Sequence, residues 1–243
     1  MSDKIYNFQD VKETNYFNMY QSVVEFMKSN NIKVGDKLPS ENILAEKTYI
    51  NRSSLREALR VLEAFGIIVS KKGSGNVYVC DLEIGLMNLF MIANSLEDTT
   101  LTDINKTRAL IEAKAIEEFI TKGTDYDFFL LEMIYNEQMK AVKDKTTKEY
   151  LEYHIMFHDQ IMKFTDNKIA KHVVHSGIRL VDNNRIKKFV EESATTKAAD
   201  HVKRAEIASH ENIINAIKSK DIAVARDLIT RHILIPGEII ETL

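Results

Sequence analysis

The chain has 243 residues, 44% hydrophobic and 28% charged, with a formal net charge of −3, enough to bury one large core or two smaller ones. A single cysteine, Cys80, excludes a disulfide framework and a cysteine-only zinc site. The longest apolar run, around Leu86–Ala93, is broken by Asn88 and falls short of the roughly 18–20 residues of a membrane span; the start, MSDKIYNFQD, lacks a basic-then-apolar leader, so a cytoplasmic protein is expected.

Eight glycines and two prolines punctuate the chain too rarely for a many-stranded barrel or sandwich, so a mainly helical fold is expected. Charge is unevenly placed. Residues 1–80 hold 11 Lys/Arg against 9 Asp/Glu, the remainder 22 against 27, and all seven histidines follow residue 153. Two chemically distinct domains are expected: 1–80, a short linker at 81–85, and 86–243.

In the first domain, Tyr16, Met19, Tyr20, Val23, Val24, Phe26 and Met27 have helical spacing and predict a helix to Ser29. Ser40 and Glu41 open a short helix to about Thr48, with Ser40 as the expected cap. Asn51 caps the next helix, Arg52–Phe65, which closes at Gly66. On that helix Leu55, Ala58, Leu59 and Leu62 share one arc, and Arg52, Arg56 and Arg60 form a neighbouring stripe. Strands at 67–70 and 76–80 around the tip Lys71-Lys72-Gly73-Ser74-Gly75 predict a basic hairpin. This succession is a winged helix-turn-helix, and five basic against two acidic residues from Arg52 to Lys72 give it a local footprint for nucleic acid. The plainer reading of the arginines is a solvated face paired with Glu57 and Glu63.

The run Gly35-Asp36-Lys37-Leu38-Pro39-Ser40-Glu41, followed by Asn51-Arg52-Ser53-Ser54-Leu55-Arg56-Glu57-Ala58-Leu59-Arg60 and the wing, resembles the DNA-binding domain of the GntR family of bacterial transcription regulators. The resemblance implies that Arg52 and Arg56 contact bases and phosphates of a palindromic double-stranded operator. It further implies that Ser53 and Ser54 reach phosphate, that Ser40 is a DNA-binding residue and that Lys72 and Gly73 form the wing contact. Asn42 stands where the family usually has an arginine, which removes one expected contact.

Beyond the linker, the pattern predicts helices near 84–95, 102–121, 125–144, 147–164, 167–190, 196–219 and 221–240, an all-helical bundle. His154 and His158 lie one turn apart on one face, a spacing that lets two imidazoles chelate a metal. His210 and His232 each sit in an apolar stripe on the last two helices. The competing reading is ordinary hydrogen-bonded core histidines, and spacing alone does not show that the helices meet. His172 and His175 suggest at least one surface residue.

Thr107-Arg108-Ala109-Leu110-Ile111-Glu112-Ala113, Phe157-His158, and His210-Glu211-Asn212-Ile213-Ile214 with His232 resemble the FCD effector-binding domain of the FadR subfamily of GntR regulators. Metal-containing members use an aspartate and three histidines. The matching positions are His154, in place of the aspartate, and His158, His210 and His232. The resemblance implies a divalent transition metal, zinc first, with nickel, cobalt or manganese open. It also implies a small organic acid effector whose far end pairs with Arg108, unless Arg108 serves only a structural pair with Glu112. The expectation is a homodimeric DNA-binding regulator and not an enzyme. A metal-free regulator sensing an acyl thioester or another larger ligand is the alternative, and a helical metalloenzyme the more distant one.

Overall fold

Met19, Val23 and Met27 are spaced to bury one stripe of a helix, and they do so on α1 (Asn15–Ser29). The structure, a computed structural model, describes residues 15–71, 75–96, 100–144, 147–191 and 208–242. It divides into two compact units, at Asn88 and Leu89.

In the first unit, α2 (Glu41–Thr48) and α3 (Arg52–Ala64) pack with α1 around Leu38, Leu44, Leu55, Leu59 and Leu62. Asn51 caps α3 as expected, its side chain accepting the Ser54 N–H at 2.9 Å. Ser40 occupies the N-cap position of α2 but makes no side-chain cap bond; only its carbonyl engages, accepting the Leu44 N–H at 2.8 Å, which corrects its expected capping role. Tyr49 ends α2 in the left-handed conformation, φ 58°, and turns the chain toward α3.

The hairpin pairs β1 (Ile68–Lys71) with β2 (Gly75–Tyr78) in antiparallel register, Val69 opposite Val77. Gly66 begins it at φ +69°. A Cβ there would fall 1.9 Å from the Asp81 carbonyl oxygen, so this close crossing of the chain admits only glycine. The expected linker 81–85 is helical from its second residue. Asp81 Oδ1 accepts the Glu83 N–H at 3.2 Å and starts α4 (Leu82–Ser95). Asn88, the interruption in the apolar run, donates at 2.9 Å to the Ala64 carbonyl at the end of α3.

The second unit is the expected bundle: α5 (Leu101–Lys122), α6 (Asp125–Lys143), α7 (Thr147–Ile161) with a 3-10 turn at Met162–Phe164, α8 (Lys168–Glu191), a helix α9 over 208–218, and α10 (Ile222–Thr242). The expected helix at 196–219 is described from 208 on; its earlier residues lie outside the described set. α5 runs along α10 and also meets α7 and α8, enclosing Phe119, Phe157, Ile161, Ile178, Ile213 and Ile229.

Two Thr-x-x-Asp capping boxes, Thr100–Asp103 and Thr124–Asp127, set the starts of α5 and α6. Asp127 also pairs with Lys163, and its own carbonyl accepts Gln160 Nε2 at 3.1 Å, tying the start of α6 to the end of α7. Lys163 and the Thr124 donors hold the Asp127 carboxyl down at about 2. The unfolded chain, with an ordinary carboxyl near ~3.9, therefore takes up this proton first as pH falls. The resulting stabilisation is complete above pH ~4 and is lost toward pH ~2. Urea midpoints of the wild type and Asp127→Asn should differ near neutrality and converge across that window; a constant difference would remove the ion pair from the account.

Candidate metal centre and nucleic-acid interface

Three helices carry the histidines inward: α7 supplies His154 and His158, α9 His210 and α10 His232. All four are buried, and one ring nitrogen of each lies within 4.8 Å of all the others. Nε2 of His158 is 3.2 Å from Nε2 of His154 and 3.3 Å from Nε2 of His232, while Nε2 of His210 is 3.1 Å from Nε2 of His232. With metal–nitrogen bonds of about 2.0–2.1 Å, neighbouring ligands of a tetrahedral ion lie roughly 3.3 Å apart. Three of the six nitrogen pairs match that edge, while the set as a whole is bounded by 4.8 Å.

The outer ring nitrogens explain which lone pairs face inward. Nδ1 of His158 meets the Glu112 carboxylate, Nδ1 of His210 donates to Gln138 Oε1 at 2.7 Å, and Nδ1 of His232 is 3.1 Å from Ser209 Oγ. An ionised carboxylate only accepts, so His158 carries its proton on Nδ1 and turns a bare Nε2 lone pair to the centre. The same reasoning applies to His210 opposite the amide oxygen. Burial holds His158 below its ordinary range despite the pull of Glu112. It holds His210 well below, helped by His232, His154 and His158. The bare Nε2 atoms of His158 and His210 each face an imidazole nitrogen of His154 or His232 at 3.1–3.3 Å, an arrangement that a shared cation or an N–H···N bond satisfies, and burial disfavours extra protons there. The donor set therefore fits a divalent ion, with tautomers fixed from behind as metal-ligating histidines require. Phe157 stacks on His210 with centroids 3.9 Å apart, fixing that ring's plane.

Arg108 is also buried, on α5. It donates from Nε to Glu112 Oε1 at 3.2 Å and from Nη1 to Asn105 Oδ1 at 3.2 Å, and Nη2 lies 3.1 Å from the same Glu112 oxygen in an ion pair. The structural pair with Glu112 is present. Burial would push the Glu112 carboxyl up, but His158 and then Arg108 outweigh it and hold it down at about 2. Sequence reasoning missed Glu112's second partner, and also Gln138 and Ser209, because nothing in their spacing marks contact with a distant helix. His172 and His175 are both half-buried, contrary to the expected surface residue, and His175 bonds Asp159 at 3.1 Å.

On the first unit, α3 buries Leu55, Ala58, Leu59 and Leu62 and exposes Arg52, Ser53, Arg56 and Arg60. Ser54 is half-buried beside its cap, and Ser40 is exposed at the start of α2. Arg56 pairs with Glu41 of α2 at 2.8 Å, not with Glu57 or Glu63. Glu63 instead accepts the Ser70 N–H at 2.8 Å and braces the wing. Lys72 and Gly73 lie outside the described residues.

A winged helix-turn-helix followed by a helical bundle has the parts of a DNA-binding transcription regulator. Residues 15–77 match the family "Bacterial regulatory proteins, gntR family", and residues 103–234 match the FCD domain. The chain belongs to the GntR family of bacterial transcription regulators and carries an FCD domain; it is a DNA-binding regulator and not an enzyme. It is 27% identical over 180 residues to the Glc operon transcriptional activator of Escherichia coli (strain K12), covering 67% of this chain and 68% of that one. It is 24% identical over 229 residues to the Uxu operon regulator of Haemophilus influenzae, covering 93% and 82%. Among solved structures, Streptococcus agalactiae GntR has the same fold, with TM-score 0.60 and 24% identity over 90% of this chain and 97% of that one. No helix of the described residues is long and apolar enough to cross a membrane.

Proposed function

We propose that this chain is a cytoplasmic, homodimeric regulator of the FadR subfamily, whose affinity for a palindromic operator is set by a small carboxylate effector at a histidine-bound divalent metal, zinc first. Residues 1–80 are the DNA-reading part and 86–243 the effector and dimerisation part. The observation that carries this reading is the convergence of four buried imidazoles, three of them with outer nitrogens already spent on Glu112, Gln138 and Ser209.

His154, His158, His210 and His232 would hold the ion, which supplies a positive anchor for a carboxylate oxygen. Four neutral imidazoles leave its charge undiminished, where an aspartate ligand would offset part of it. Arg108 orients the acid's far end. In the DNA-reading part, Arg52 and Arg56 contact bases and phosphates, Ser53 and Ser54 reach phosphate, Ser40 also binds DNA, and Lys72 and Gly73 form the wing contact. The effector changes operator affinity only by binding the two states of the protein unequally, typically by ~1–3 kcal/mol, or about 5–150-fold.

Two measurements test this. Sedimentation should give twice the 27.9 kDa chain mass. Operator titrations of zinc-loaded protein against a series of two- to six-carbon mono- and dicarboxylates should reveal at least one acid that shifts affinity within that range. The shift should vanish after chelation. A response that survives chelation would sever effector sensing from the metal.

A further inference from the structure

Glu112 is wholly enclosed, and both of its carboxylate oxygens are engaged. Oε1 accepts from Arg108, while Oε2 faces Nδ1 of His158 from the opposite side. One carboxylate thus joins α5 to α7 and spans the distance between the candidate effector arginine and a candidate metal ligand. We infer that Glu112 is the positioning residue of the histidine centre and that Arg108 acts on the metal through it. The inference rests on the metal reading proposed above.

Stability does not account for this arrangement. A buried ion pair recovers little more than its desolvation cost, and an apolar pair of the same volume would fill the space as well. A carboxylate behind a ligating imidazole does something an apolar group does not. It fixes the ring's rotation, keeps the proton on Nδ1, and makes Nε2 a stronger donor. Arg108 in turn donates to Glu112 Oε1 at 3.2 Å and fixes the orientation of the carboxylate behind the ring.

The neighbouring helix is cut to fit this pair. A Cβ at Gly177 on α8 would sit 2.7 Å from Cδ of Arg108 and 3.0 Å from Cγ2 of Ile104. Glycine at this position makes room for the arginine stem beneath α8, and so for the guanidinium to reach Glu112. The remaining guanidinium bond, to Asn105 at 3.2 Å, fixes it from a third side. The charges also balance: Glu112 and Arg108 cancel, so the centre keeps the ion's positive charge for an anionic ligand.

The test uses the full chain and cobalt(II) alone as probe, followed by its visible absorption, on wild type and Glu112→Gln. The variant should still fold and take up cobalt, with affinity lower by about 10–100-fold. Equal affinity in a wild type that binds one cobalt per chain would overturn the role of Glu112 and leave the metal centre standing. A wild type that binds no cobalt would instead overturn the metal reading. A second measurement needs no metal. Nitrogen NMR of the apoprotein should show His158 protonated at Nδ1 in the wild type and shifted toward Nε2 protonation in Glu112→Leu. An unchanged tautomer in that variant would show that Glu112 does not set it.

Discussion

Replacing His210 with alanine should strip the metal from the purified protein and lower the melting temperature of the helical unit, while operator binding by the winged helix persists. A ligand present at about a thousand times its Kd stabilises by roughly 4 kcal/mol. In a chain of this size that corresponds to roughly 8–16 °C. His210 is the informative choice because it is enclosed, stacked on Phe157 and committed through Gln138 to one tautomer. Its loss opens the centre without touching α3. Chelation should lower the wild-type melting temperature by a similar amount and leave the variant unmoved. A variant that retains a full equivalent of metal and melts like the wild type would remove His210 from the site.

Arg56→Ala should weaken operator binding by about 5–150-fold, the range expected for losing one arginine fork from a base edge. Combined with Arg52→Ala, it should abolish specific binding. The fold should be unaffected, because the Arg56–Glu41 pair is solvent-exposed and such pairs contribute at most ~1 kcal/mol. That pair still matters for recognition. Glu41 holds one edge of the guanidinium, so Glu41→Ala should loosen the arginine and broaden the tolerated operator sequences. Competition binding with single-base operator variants, at fixed salt, measures both effects. Affinity should also fall steeply as salt rises, since phosphate contacts release counterions. Unchanged affinity in Arg56→Ala would take this face of α3 out of the groove.

Much of this was legible from residue order because the signals are local. The stripe Leu55, Ala58, Leu59 and Leu62, the Asn51 cap and the left-handed Gly66 each act within a turn or two of their own position. The Thr-x-x-Asp boxes at Thr100 and Thr124 are equally local, and they fix helix starts that apolar periodicity leaves loose. Asp81 is a third such signal, its side chain turning an expected linker into the start of α4. Ser40 shows the opposite case, a residue of capping type at the capping position whose hydroxyl makes no cap bond.

The centre is a different kind of problem. The spacing of His154 and His158 revealed a chelating pair, but their meeting with His210 and His232 depends on how α7, α9 and α10 pack. Glu112 precedes His158 by 46 residues and Gln138 precedes His210 by 72, and only the assembled bundle makes them neighbours. Spacing and apolar context marked the four histidines, and the family resemblance matched them to ligand positions. It did not supply the residues that orient them.

The most direct test of the metal-centred account is elemental analysis of untagged protein purified without chelators. The wild type should carry close to one transition-metal ion per chain, zinc foremost, and His210→Ala should have lost it. No metal in the isolated protein, together with no uptake when zinc, cobalt or nickel is supplied, would contradict it and direct the search for an effector to larger, metal-independent ligands.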